Sequence, residues 1–401
     1  MNKKYAGMTG LFVLLVFGGT VAGLVSHGRE FSDRENRYLQ QRPQWDTDQV
    51  LSGEYQSQYE DYLNDQFPAR DVLMKLSVYA QKYAGSTRIN GVYLGKDGYL
   101  LEEPAQIESD QIRENTTILT EFLNQAVKTY GKERVSCVMV PSKTAILPKK
   151  LPDHADNGGR QEQEMIAGIR DGLGDPRTLL DLTQTMKEHQ DEYIYYRTDH
   201  HWTTLGAYYG YVQWAGQTGH TPMKLQQFTR STAFRDFLGT TYNKLPVETT
   251  PDQVELFRSD SQEGVSVVFD GEQRADTLYF PEEAGKGFDR YGVFFSRNTA
   301  QIDIQTKAHT GRNLLVLKDS FANCFVPFLT GDYDRILMID YRYERRDIEK
   351  ILKEHSEITD ILVLYNVEKL MEDTHLSALS VRQLPSESME EFDPDSFMED
   401  F

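Results

Sequence analysis

Four short runs of almost continuously apolar residues punctuate the second and last thirds of the chain. They are RVSCVMV (Arg134 to Val140), NLLVLKD (Asn313 to Asp319), RILMID (Arg335 to Asp340) and DILVLYN (Asp360 to Asn366). Runs of this length, rich in β-branched residues and leucine and without polar alternation, predict strands buried on both faces. Helical patterns follow or intervene at Gln161 to Leu173, Leu179 to His189 and Thr203 to Gln217. EYIYYR (Glu192 to Arg197) reads as a further strand leading straight into Thr198-Asp199-His200-His201-Trp202. Strand–helix alternation of this kind predicts an α/β fold with a parallel sheet covered on both faces by helices.

The flanks read differently. Lys3 and Lys4 precede an uncharged run from Tyr5 to Ser26, about the 20 residues that cross a bilayer as a helix. Positive charge ahead of the run places the N-terminus in the cytoplasm and the body outside the cell. Residues 1–27 are therefore expected to form an uncleaved transmembrane signal anchor; a cleaved signal peptide is the competing reading, without an A-x-A site to end it. Residues 28–85 are expected to form a stalk and a helix, broken at Pro68, whose Val72, Leu73, Leu76 and Tyr79 recur at helical spacing for packing on the main domain. GVYLGKDGYLLEE (Gly91 to Glu103) predicts a hairpin. The main domain is expected over 86–384. A β-rich insertion at about 220–310 would form part of a cleft or lid, and 385–401 an acidic flexible tail.

Composition changes this picture little but narrows function. The 401 residues carry 62 acidic against 43 basic side chains, a formal net charge of -19, and no basic patch is evident, which argues against nucleic acid as a partner. The two cysteines, Cys137 and Cys324, lie in apolar contexts and read as buried small hydrophobes, not as a disulfide or a metal site.

Two constellations carry chemistry. In extended chain, residues two apart face the same side, so Asp199 and His201 are expected to meet while His200 points away. A carboxylate on one imidazole nitrogen fixes the tautomer and stabilises the imidazolium formed in general-base catalysis. The bland reading is that Asp199 caps the following helix and the histidines are structural. A metal reading is disfavoured because adjacent histidines diverge on extended chain. The second constellation is Leu314-Leu315-Val316-Leu317-Lys318-Asp319-Ser320-Phe321, a buried strand ending in a serine that opens a helical stretch. An α/β protein presents a nucleophile at such a place, where backbone N–H groups and a helix N-terminus can stabilise an oxyanion; a plain helix cap is the alternative. Both constellations belong at carboxyl ends of strands, where sites form in open α/β sheets. Asn366 and Arg342, each beyond a strand end, are candidates for the oxyanion or for substrate, and Trp202 joins them as a substrate-binding candidate.

YYRTDHHWTTLGAYYGY, with VLKDSFANCF downstream and ENRYLQQRP, DQFPAR and GVYLGKDGYL upstream, resembles the DHHW protein family of Firmicutes, relatives of the alginate O-acetylation proteins. The likeness runs from about Phe31 to Leu370. It implies an SGNH-hydrolase-like domain with permuted motif order, in which Asp199 and His201 precede Ser320 and the three form a catalytic triad needing no cofactor. The implied activity is an extracytoplasmic O-acetyltransferase acting on a wall or exported polysaccharide, with a membrane-bound O-acyltransferase as a partner supplying acetyl groups. An acetyl esterase with the same triad and a non-catalytic glycan-binding surface protein are the alternatives. Ordinary SGNH enzymes use a Gly and an Asn for the oxyanion hole; the resemblance implies Asn366 as that Asn, with no Gly evident after IDYRYERR.

Overall fold

The computed structural model describes residues 28–381, apart from 33–36, 69 and 288, together with a few positions nearer the N-terminus. The expected anchor over 1–27 falls almost wholly, and the expected tail over 385–401 entirely, outside the described residues. Among the described residues no helix is long and apolar enough to cross a membrane.

The four apolar runs are strands of one eight-stranded sheet. Numbered in chain order, its strands are β1 (Val135–Val140), β2 (Leu179–Asp181), β3 (Ser266–Phe269), β4 (Gln273–Ala275), β5 (Gln301–Gln305), β6 (Asn313–Lys318), β7 (Arg335–Ile339) and β8 (Asp360–Asn366). Across the sheet the order is β4-β3-β5-β7-β6-β8-β1-β2. The five strands from β7 to β2 run parallel, with Val316 of β6 opposite Met338 on one side and Leu362 on the other. Strands β5, β3 and β4 add antiparallel pairings at the far edge.

Both faces of the parallel part are apolar because both are covered. Leu314, Val316, Ile336, Met338 and Leu362 pack with Trp202, Tyr211, Trp214 and Phe328 on one side. Leu315, Leu317, Leu337, Ile339 and Val363 pack on the other with Leu119, Phe122, Ile166 and Ile351, which belong to the helices Ser109–Tyr130, Gly159–Gly172 and Ile348–Glu354. Period-two alternation with apolar residues on both faces is the signature that the sequence displayed.

Four expectations need correction. The sheet is mixed, not parallel throughout, because much of the β-rich stretch at about 220–310 joins it at one end. Its strands β3, β4 and β5 extend the main sheet, and only Thr229–Phe237 with Asp252–Arg258 form a separate antiparallel ribbon. Leu179 to His189 is not one helix: Leu179–Asp181 pairs with Cys137 to Met139, and the helix begins at Thr183, whose N–H is taken by the Asp181 carboxylate. Glu192 to Arg197 forms no ladder beyond a single bridge between Tyr195 and Trp202. Finally, in the helix Arg70–Tyr83 it is Val78 that is buried, while Val72, Leu73 and Leu76 face solvent.

One buried group outside the sheet titrates in an accessible range. Glu162, on the helix Gly159–Gly172, accepts the backbone N–H of Ser142 just beyond β1, and burial pushes its carboxyl up to about 7. A folded-state value above the ordinary 4.5 means that the native chain holds a proton the unfolded chain has lost. The stability this contributes is complete below about pH 4.5 and disappears as pH rises through about 7. At about 1.4 kcal/mol per pH unit the change is roughly 3 kcal/mol. Unfolding of the native chain and of Glu162→Gln by denaturant, from pH 4.5 to pH 8, is expected to show the stability difference between them moving against the native chain by about that amount. Parallel curves would remove the buried-carboxyl account.

Candidate active site

At the carboxyl end of β6 the chain must leave the sheet at its centre, and its polar groups are met by buried partners. Lys318 donates to Asp340 and Asn323. The Asp319 carboxylate accepts the N–H of Phe321 at 2.8 Å and that of Asn366 at 2.8 Å, tying the end of β6 to the end of β8. Burial raises the Asp319 carboxyl to about 6. Held this way, Ser320 occupies the turn ahead of the short helix Ala322–Phe325, and its own backbone N–H has no partner among the described residues.

Opposite lies the turn 196–201. His201 Nε2 stands 2.7 Å from Ser320 Oγ, and its Nδ1 stands 2.6 Å from Asp199 Oδ1, which also accepts the His201 backbone N–H. The second carboxylate oxygen of Asp199 accepts the backbone N–H and the hydroxyl of Thr240 at 2.9 and 3.0 Å. Burial works to raise the Asp199 carboxyl. The neighbouring histidine charges and these hydrogen bonds outweigh it and hold the group well below the usual carboxylate range. A carboxylate so held keeps imidazole Nδ1 protonated and leaves Nε2 free to accept a proton from the serine.

The reason Asp199 and His201 meet is not the expected one. The backbone here is a turn in no ladder: Leu100 N–H meets the Arg197 carbonyl and Tyr242 N–H that of Thr198, and buried side chains hold several of the remaining peptide groups. Asp252 accepts the N–H groups of Arg197 and Thr198 at 2.7 Å each, and Lys143 donates to the carbonyls of Tyr196, Arg197 and Asp199. Period-two reasoning therefore fails for His200. Its ring does not point away but lies beside that of His201, tilted 35° to it with centroids 3.9 Å apart, and its Nδ1 meets the Thr240 hydroxyl at 2.6 Å. Ligand atoms of Asp199, His200 and His201 accordingly lie within 4.8 Å of one another. The nitrogens of His201 are engaged by Asp199 and Ser320, and His200 Nδ1 by Thr240.

The other candidates separate. Asn366 caps the helix Val367–Glu372 through its side-chain oxygen and donates its amide to the Val140 carbonyl at 3.0 Å, so its side chain serves the sheet end and not an oxyanion. Trp202 is fully buried; its indole N–H donates to the Phe321 carbonyl at 3.0 Å and its ring stacks on Phe325, bracing the turn behind Ser320. Arg342 is the partly exposed one, bound through two nitrogens to Asp340.

Three contributors escaped the sequence reading. Tyr291 stacks flat on the His201 ring at 3.8 Å and donates its hydroxyl to the Ser320 carbonyl at 3.1 Å. Thr240 belongs to LGTTY, which carries no catalytic signal. Lys143 was visible as the one charge in VMVPSKTAIL, a signal in itself.

Comparison with known proteins bears on this site. A family described as DHHW protein matches residues 106–339, more than half of the chain and the whole of Asp199 to Ser320. A protein of Pseudomonas syringae pv. tomato described as a probable alginate O-acetylase, AlgJ, is 27% identical over 167 residues, 39% of this chain and 41% of that relative's length. Among solved structures, a DHHW family protein from Eubacterium siraeum superposes with a TM-score of 0.60 at 20% identity, covering 75% of this chain and 98% of the other. PatB1 of Bacillus cereus, solved with a sulfonyl adduct, superposes with a TM-score of 0.58 at 23% identity, covering 72% and 97%. At these identities the two structures establish a shared fold.

Proposed function

The chain belongs to the DHHW protein family, and from that membership and its hydrogen-bonded Ser320–His201–Asp199 line we propose that it is an SGNH-type serine O-acetyltransferase of permuted motif order, acting outside the cell on a polysaccharide. The observation that carries this reading is the pair of contacts through His201, 2.7 Å to Ser320 and 2.6 Å to Asp199. Nucleophile, base and orienting anion stand in the order that acyl transfer requires.

The chemistry follows from the contacts. Ser320 Oγ attacks the carbonyl carbon of an acetyl donor as His201 Nε2 takes its proton. The imidazolium, stabilised by the Asp199 carboxylate and covered by the Tyr291 ring, returns that proton to the departing group. Acetyl-Ser320 is then attacked by a sugar hydroxyl, whose proton passes to His201 and on to Ser320 Oγ as the ester bond breaks. The unpartnered N–H of Ser320 is the proposed oxyanion donor, in the place where Asn366 was expected to serve. No step calls for a cofactor.

The relative described as a probable alginate O-acetylase supports polysaccharide as the acceptor class. The uncharged run after Lys3 and Lys4 supports an anchored protein with its catalytic domain outside the membrane, and such a location suits a membrane-bound O-acyltransferase as acetyl supplier.

Full-length protein given a chromogenic acetyl ester and a panel of neutral and acidic polysaccharides is expected to move acetyl onto one of them, detected as new ester on the recovered polymer. Release of acetate with no polymer acetylation across the panel would favour the esterase reading. No reaction with any ester would favour the glycan-binding one.

A further inference from the structure

Lys143 is buried at the carboxyl end of β1, and no carboxylate is within hydrogen-bonding distance of its Nζ among the described residues. Its Nζ instead donates to three carbonyls of one short segment, at 3.1 Å to Tyr196, 3.3 Å to Arg197 and 2.8 Å to Asp199. Three carbonyl dipoles converging on one point repel each other, and a cation at that point turns the repulsion into attraction. On the other side of the same peptides, the Asp252 carboxylate gathers the N–H groups of Arg197 and Thr198 and the Thr198 hydroxyl. The turn that presents Asp199 and His201 thus lies between a buried cation on its carbonyl side and a buried anion on its N–H side.

A methionine of similar length would fill the space but leave the Tyr196 and Asp199 carbonyls without a donor, while that of Arg197 keeps the Leu100 N–H at 2.8 Å. We infer that Lys143 is a positioning residue for the catalytic line: its ammonium, clamped on the carbonyls of Tyr196, Arg197 and Asp199, fixes the turn that aims His201 at Ser320. This rests on the proposed serine chemistry for its effect on rate, but the clamp itself is a property of the turn.

The groups facing the ammonium are Asp199 on the turn, Asp252 on the strand Asp252–Arg258 and Glu102 on the strand Leu100–Glu102; burial outweighs their pull and lowers Lys143 to about 8. Loss of its proton removes one donor from the cage and loosens the turn. The rate of Ser320 modification is therefore expected to fall reversibly as pH rises through about 8.

The test uses the full-length chain, phenylmethanesulfonyl fluoride as the serine probe, and the downfield proton resonance of the His201 Nδ1–H bonded to Asp199. In Lys143→Met, sulfonylation is expected to slow about 100-fold near neutral pH, with no further fall on the alkaline side, and the resonance is expected to vanish or broaden. In Lys143→Ala, added ethylammonium is expected to restore at least about tenfold, and ethanol nothing. A folded Lys143→Met that reacts within about threefold of native and keeps the resonance would overturn the inference while leaving the serine chemistry intact. A native Ser320 that never reacts, with a resonance that still depends on Lys143, would sink the proposed function and keep the clamp. Should both variants fail to fold, the native pH profile decides: a sulfonylation rate that does not fall up to about pH 10 overturns the inference, and a reversible fall through about 8 upholds it.

Discussion

Ser320→Ala and His201→Ala are each expected to reduce acetyl-ester turnover by about 10⁴-fold or more, and the double variant to be no slower than the worse single one. The magnitude follows from the roles. A serine hydroxyl is a weak nucleophile unless a base takes its proton as it attacks, and the base at 2.7 Å has no other acidic hydrogen to accept. Without either partner the remaining rate comes from binding and oxyanion stabilisation alone. Non-additivity is the discriminating feature: two residues acting in one proton transfer cannot be lost twice. Steady-state kinetics of the three variants, with thermal unfolding to show that each is folded, make the comparison. Effects that multiply would mean that Ser320 and His201 act separately.

The second large effect is expected at a residue that touches no substrate. Gly239 packs so tightly on Asp199 that a Cβ added to it would lie inside the van der Waals envelope of the carboxylate. The constraint is space, because the Gly239 backbone is in the extended region that any residue can adopt. Asp199 cannot yield cheaply, since its two oxygens are already bound by His201 and Thr240. Gly239→Ala must therefore displace either the carboxylate from His201 or Thr240 from the carboxylate. A shift near 1 Å in such a line costs on the order of 100-fold in kcat, and the overpacking itself about 1–3 kcal/mol of stability. Turnover and denaturant unfolding of Gly239→Ala check both figures. Native kcat in this variant would mean that Asp199 is not held as described.

The parts of this molecule that could be read in advance are those in which a local pattern decides the structure. Strands β1, β6, β7 and β8 are legible because burial on both faces writes the same message at every position. Ser320 is legible because it ends one of them. Asp199 and His201 could be paired from their spacing, although the turn that brings them together is built by Lys143 and Asp252, 56 residues before and 53 after Asp199 in the sequence. EYIYYR reads as a strand because Ile194, Tyr195 and Tyr196 are as buried as a strand's side chains, but its peptide groups join no ladder beyond one bridge. The same non-local construction hid Thr240, Gly239 and Tyr291, whose roles arise only when segments distant in sequence close on His201. The stretch that holds β3, β4 and β5 reads as β-structure from its alternation. Their place in the main sheet was not legible, since alternation reveals a half-exposed strand but not its neighbour. In the helix Arg70–Tyr83 the heptad-like spacing of Val72, Leu73 and Leu76 suggested a packed face, and the chain buries Val78 instead. Spacing defines a face and not what covers it.

The most direct test of the central claim is the site of covalent modification. Full-length protein treated with phenylmethanesulfonyl fluoride and mapped by peptide mass spectrometry is expected to carry one sulfonyl group, on Ser320, and His201→Ala to carry none. Native protein that turns over acetyl esters while Ser320 stays unmodified, or that is modified at another residue, would contradict the account.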